Sequence, residues 1–114
     1  MEKKNMITDN KDYRIVYNRG KSFSDYNLVL FVRKRRDKNL RFGITTAKKM
    51  KRAVDRNRFR RRIKEIIRKH FDSVETGYDI VIMGRLNGKD ADFSKLEKSY
   101  TRLLKKSNIW KKEK

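Results

Sequence analysis

The chain has 114 residues and a mass of 13.9 kDa, enough for one compact core with little room for a second. Its 34 Lys and Arg oppose 14 Asp and Glu for a formal charge of +20, and 42% of its residues are charged where a typical domain has about 25%. A polyanion is the implied partner. The absence of Cys excludes disulfide frameworks, thiolate zinc sites and a cysteine nucleophile. No apolar run reaches membrane-spanning length and the first residues carry no secretory pattern, so the expectation is a soluble, cytoplasmic protein that engages no membrane.

Residues 1–7 are polar and expected to be loose. Thr8 or Asp9 can cap a first helix in which Tyr13, Val16 and Tyr17 recur at i, i+3 and i+4, ending at Gly20. Tyr26 to Arg33 reads as a strand, with Leu28, Leu30 and Val32 on one face and Val29 and Phe31 on the other. The charged stretch that follows reads as a hairpin loop into a second strand, Leu40 to Thr46, with Leu40, Phe42 and Ile44 in phase. Gly43 inside that strand implies a bulge or a close backbone approach.

From Met50 to Phe71 the spacing of Phe59, Ile63, Ile66, Ile67, His70 and Phe71 confines the apolar residues to one stripe of a long helix. Gly77 punctuates, Tyr78 to Met83 forms a short buried strand, and Asp92 caps a last helix with Phe93, Leu96, Tyr100, Leu103 and Leu104 on its apolar side. The tail is expected to fray beyond Trp110, over 111–114. The order α-β-β-α-β-α makes one α+β domain spanning 1–114, a small α/β sandwich with helices packed on a single sheet.

Charge is concentrated on the long helix and its approach. Residues 48–69 hold 12 Lys and Arg against Asp55 and Glu65, so half the surplus lies in a fifth of the chain. On a helical wheel Asn57, Arg61, Lys64 and Arg68 group on one flank of the apolar stripe, and Arg58, Arg62 and Lys69 on the other. Like charges at this spacing repel, which argues for a polyanion surface over a merely solvated face. The stripe is needed for the protein's own core, which favours nucleic acid over a lipid surface. Tyr13, Tyr17 and Phe31 are candidates for stacking on unpaired bases or, equally, for the core.

The string AKKMKRAVDRNRFRRRIKEIIR, Ala47 to Arg68, resembles the signature helix of the bacterial ribonuclease P protein family: Lys48 and Lys49, then Ala53 and Val54, then Arg56, Asn57 and Arg58, then Arg60 and Arg61. KDYRIVYNRGKSF is similar to the family's aromatic first helix and LRFGITT to its Arg-x-Gly strand, so the resemblance covers nearly the whole chain. Ala47 stands where Ser is common and Lys64 where Arg is common in the family. The resemblance implies an order close to α-β-β-β-α-β-α with a left-handed β-α-β crossover. It also implies that an RNA subunit cuts the 5′ leader from precursor tRNA with Mg²⁺, while the protein, one copy per RNA, binds both RNAs. Lys48, Lys49, Arg52, Arg56, Asn57, Arg58, Arg61, Arg62 and Arg68 would then meet the catalytic ribonuclease P RNA. Tyr13, Tyr17, Phe31, Thr45, Arg60 and Lys64 would hold the single-stranded leader.

Nothing in the chain suggests a catalytic group or metal site of its own. His70 is the sole histidine and lies in phase with the apolar stripe, and the close carboxylate pairs sit beside predicted helix ends. A general basic RNA-binding or ribosome-associated protein is the alternative reading, and an independent endoribonuclease a third.

Overall fold

The computed structural model describes residues 1–111 and has three layers. Helix α1 (Asn10–Arg19) covers one face of a four-stranded sheet, and α2 (Ala53–Lys69) and α3 (Phe93–Lys106) cover the other. The strands are β1 (Lys21–Ser24), β2 (Leu28–Lys34), β3 (Leu40–Thr46) and β4 (Tyr78–Gly84), so the order is α-β-β-β-α-β-α.

The strand the residues alone did not reveal is β1, whose four residues include only one large apolar side chain, Phe23. The expected hairpin is also absent, because β4 lies between β2 and β3 in the order β1-β2-β4-β3. β4 is the strand buried on both faces, so it takes the interior position, antiparallel to β2 and parallel to β3. The charged β2–β3 connection therefore arches over the start of β4, with Arg35 N–H donating to the Gly77 carbonyl and Gly77 N–H to that of Asn39, both at 2.8 Å.

Alternation sorts the strands as expected. Leu28, Leu30, Val32, Leu40, Phe42, Ile80 and Ile82 join the α2 stripe (Phe59, Ile63, Ile66, Ile67) and the α3 stripe (Leu96, Tyr100, Leu103, Leu104) in the main core. The opposite face carries a smaller cluster of Ile7, Val16 and Val81 with Tyr13 and Phe31 against it. α1 and α3 are capped by Asp9, which accepts from the Lys11 N–H, and Asp92, which accepts from the Lys95 N–H, each at 2.9 Å. α3 ends in a Schellman motif: Ile109 N–H bonds the Leu104 carbonyl, Asn108 N–H bonds that of Lys105, and Asn108 takes φ 63.

Three boundaries differ from the sequence reading. Of the first seven residues, expected to be loose, residues 5–7 are docked: Asn5 is buried and donates to the Leu40 carbonyl at 2.7 Å, and Ile7 N–H donates to the Phe42 carbonyl at 2.8 Å. They shield the open edge of β3. α2 begins at Ala53 because Arg52 is extended, and ends at Lys69, leaving His70 and Phe71 in the turn that follows. The tail is held as far as Lys111, whose N–H donates to the Ser73 carbonyl at 2.8 Å; the rest of the expected fraying segment, 112–114, lies outside the described residues. Among the described residues no helix is long and apolar enough to cross a membrane.

Candidate nucleic-acid interface

The cleft lies between α1 and the uncovered part of the sheet. Tyr13 and Tyr17 sit one turn apart on α1 with ring centroids 6.4 Å apart, and Tyr17 meets Phe31 of β2 edge-on at 4.9 Å. Val16 between them is fully buried and anchors the helix, so the two tyrosines straddle the anchor. Gly43 on β3 permits this packing: a Cβ there would stand 2.6 Å from the Tyr13 ring. The anticipated feature is therefore a close approach, and it is a side chain that approaches. Gly20 is required for a similar reason, since a Cβ would fall 2.5 Å from the Val16 carbonyl oxygen while its own φ is an ordinary −84°.

Tyr17, Tyr13 and Thr45 line a trough of about 590 Å³ with Asn10, Arg14 and Ile44. A second trough of about 320 Å³ shares Tyr13 and Ile44 and continues to Met6, Arg60, Arg61 and Lys64. Partial burial raises the pKa of both tyrosines; a hydrogen bond at the Ile44 backbone and the charge of Arg60 oppose this for Tyr13, and a hydrogen bond with Thr45 opposes it for Tyr17. Five of the six residues assigned to the leader cleft thus line the two troughs, and the sixth, Phe31, joins them through its edge-on contact with Tyr17, so an aromatic side meets a cationic one. Asn10 and Arg14 were not singled out from the sequence, although Asn10, Tyr13, Arg14 and Tyr17 recur at the same helical spacing that revealed the aromatics.

The α2 cations divide into two groups. Arg60, Arg61 and Lys64 are exposed and form no ion pair among the described residues, and the same holds for Lys48, Lys49 and Arg52 on the approach to the helix; Asn57 is exposed beside them. The second group is engaged internally. Arg56 folds its guanidinium back onto the Met50 and Lys51 carbonyls, closing the loop that α2 grows from in place of a side-chain N-cap. Arg58 donates to Asp55 Oδ1 at 2.9 Å and to the Lys89 carbonyl at 3.3 Å, and Arg62 donates to the Ala91 carbonyl at 2.8 Å. The Arg58–Arg62 flank therefore fastens the β4–α3 connection to α2. Arg68 pairs with Glu65 at 2.7 Å on the exposed surface, a contact that a phosphate readily displaces.

Beside the first trough a buried carboxylate gathers three arginines. Asp79 on β4 is 1% exposed and accepts from Arg41 at 2.8 and 2.9 Å, from Arg35 at 3.0 and 3.2 Å and from Arg33 at 3.5 Å; Arg41 also reaches Asp12 on α1 at 3.2 Å. Burial opposes ionisation of Asp79, but the hydrogen bonds and charges of Arg41 and Arg35 outweigh it and hold the carboxyl below its ordinary value. These arginines are spoken for, so the free positive potential lies on the Arg60–Lys64 side.

His70 is half-buried, with Nε2 2.9 Å from Glu97 Oε2 and its ring 5.5 Å from that of Trp110, far from the cleft in the layer order. Among the described residues no three His, Asp or Glu side chains are grouped to hold a metal ion.

Comparison with known proteins gives the family of this fold. The ribonuclease P family model matches residues 1–108. The chain is 41% identical over 109 residues to a ribonuclease P protein component of Clostridium botulinum, covering 95% of this chain and 98% of that one. It superposes on the RNase P protein of Thermotoga maritima with a TM-score of 0.80 at 27% identity, covering 89% and 96% of the two chains. A Staphylococcus aureus RNase P protein mutant with defective mRNA degradation activity gives 0.88 at 28%, covering 96% and 93%. The chain belongs to the ribonuclease P protein family.

Proposed function

We propose that the chain serves tRNA 5′ processing within an endoribonuclease that works with the ribonuclease P RNA, the role its family membership supports. We propose that the protein divides its surface between two RNAs. The exposed cations Lys48, Lys49, Arg52, Arg61 and Arg68, with Asn57, bind the catalytic RNA. The α1 cleft, floored by Tyr13, Tyr17 and Phe31 and walled by Arg60 and Lys64, holds the single-stranded 5′ leader of precursor tRNA. The observation that carries this reading is the sharing of Tyr13 and Ile44 by two troughs, one aromatic and one cationic.

The chemistry of the fit is direct. A flat base stacks on an aromatic floor at about 1–3 kcal/mol per base without regard to sequence, while cations along the wall take the phosphates. An unpaired strand can offer its base faces to such a floor, whereas a duplex keeps them stacked inside its own helix. Arg58 and Arg62 act on the catalytic RNA through position, because they hold the loop beside the ridge. In this reading the hydrolytic step and its Mg²⁺ belong to the RNA, and the protein contributes binding and orientation, one copy per RNA.

Reconstitution tests it: precursor tRNA at low Mg²⁺ is incubated with the catalytic RNA, with the protein, and with both. The proposal expects cleavage to appear or rise only in the mixture. Cleavage by the protein alone would transfer the active site to this chain, and RNA affinity with no effect on the ribozyme would reduce it to a general RNA binder.

A further inference from the structure

The α2 ridge accounts for about half of the +20 surplus, and a second cationic feature lies on the sheet face turned away from α1 and its cleft. A pocket of about 450 Å³ is lined by Arg19, Lys21, Lys34 and Lys106 around Phe23, Val32 and Tyr78, with Ser107 and Asn108 at its rim. Its side follows from the register. Lys21 pairs with Val32, Phe23 with Leu30 and Lys34 with Tyr78, and Leu30 and Val32 belong to the core under α2 and α3. The leader cleft, with Phe31 and Val81, is on the opposite face.

Two of the four cations have a structural explanation. Arg19 and Lys106 occupy the last turns of α1 and α3, where positive charge complements the helix dipole. Lys21 and Lys34 lie on strands and serve no helix end. None of the four forms an ion pair with a carboxylate among the described residues, and no carboxylate lines the pocket. Mutual repulsion around one cavity is a cost that a bound anion removes. Phe23 and Tyr78 are both half-buried, each presenting part of a ring to the same cavity. Cations alone would suit any anion, but cations around exposed ring surface suit a nucleobase and its phosphate together, in a volume within the range of small-ligand sites. The Asn108 turn fixes one wall, since its left-handed backbone ends α3 and aims the chain back into the core at Ile109.

We propose that this pocket is a second site for an unpaired nucleotide of RNA, with the base against Phe23 and Tyr78 and the flanking phosphates on Lys21, Lys34 and Lys106. It is independent of the leader cleft, so one protein molecule touches RNA on both faces of its sheet.

The test is an amide-resolved NMR titration of the full chain with hexauridylate at physiological salt, with hexaglutamate and inorganic pyrophosphate as parallel probes. The expected result is saturable movement of the Lys21, Phe23, Lys34 and Asn108 amides with hexauridylate, separable from movement at Tyr17 and Thr45. Lys21→Gln/Lys34→Gln/Lys106→Gln should abolish the first set and spare the second. Phe23→Leu, which retains every cation, should weaken the pocket roughly 5- to 150-fold. Still pocket amides beside a responding cleft would overturn the inference while leaving the leader reading intact. Equal response to hexaglutamate would overturn it in favour of an acidic protein partner, and equal response to pyrophosphate in favour of a simple anion pocket. The unsubstituted chain decides these outcomes even if a variant fails to fold.

Discussion

Arg41 grips Asp79 with one edge of its guanidinium, Nε to Oδ1 at 2.8 Å and Nη2 to Oδ2 at 2.9 Å, while its remaining nitrogen reaches Asp12 on α1 at 3.2 Å. One side chain thus ties the helix that forms the cleft to the central strand of the sheet.

Asp79→Asn should destabilise the protein at pH 7 by about 2–4 kcal/mol. This is less than the full cost of orphaning a buried ion, because Arg33, Arg35 and Arg41 keep 18–30% of their side chains in water. The folded-state pKa of Asp79 is depressed, so its contribution is complete above the unfolded value of about 3.9 and is lost as pH falls through the lower folded value. Urea unfolding of both proteins from pH 7 down to 2.5 should show the gap closing only at the acid end. A constant gap would show that the carboxylate's charge is irrelevant.

Tyr100 is fully buried in the main core and its hydroxyl has no hydrogen-bond partner among the described residues. Burial alone pushes its pKa upward. Tyr100→Phe should therefore be neutral or stabilising by up to about 1–2 kcal/mol in thermal unfolding, since it removes an unsatisfied polar atom and keeps the ring. A loss of stability would reveal a partner for that hydroxyl.

The two groups of α2 cations should separate experimentally. Arg60→Ala, Arg61→Ala and Lys64→Ala together should leave stability within about 0.5 kcal/mol. They should lower the slope of log affinity against log salt for RNA by about 2–3, at 0.7–0.9 per lost phosphate contact. Arg58→Ala and Arg62→Ala should each cost about 1–3 kcal/mol of stability, because each leaves internal partners unmet, the Asp55 carboxylate and Lys89 carbonyl in one case and the Ala91 carbonyl in the other. The opposite pattern would reverse the assignment of ridge and fastener.

How much of this was legible depended on the range of the interaction. The stripe of Phe59, Ile63, Ile66 and Ile67 and the cap Asp92 are written in local spacing, and the structure has them as read; of the two candidate caps for α1, Thr8 and Asp9, it uses Asp9. Tyr13 and Tyr17 were legible as a pair one turn apart. β1 was not, because Lys21–Ser24 is too short and too polar to show alternation. Nor was the strand order, since inserting β4 between β2 and β3 depends on burial of both its faces by helices far away in sequence. The engagement of Arg58 and Arg62 was invisible for the same reason: their partners are carbonyls of Lys89 and Ala91, about 30 residues downstream. A helical wheel counts cations and does not say which are already occupied.

The most direct measurement is the affinity of the reconstituted ribonucleoprotein for precursor tRNA and for mature tRNA, with and without Tyr17→Ala. Tyr17 is 38% exposed at the mouth of the cleft, so its truncation should spare the fold. The account predicts that precursor binding weakens by about 1–3 kcal/mol while mature tRNA binding is unchanged. Equal weakening for both substrates would contradict the leader cleft.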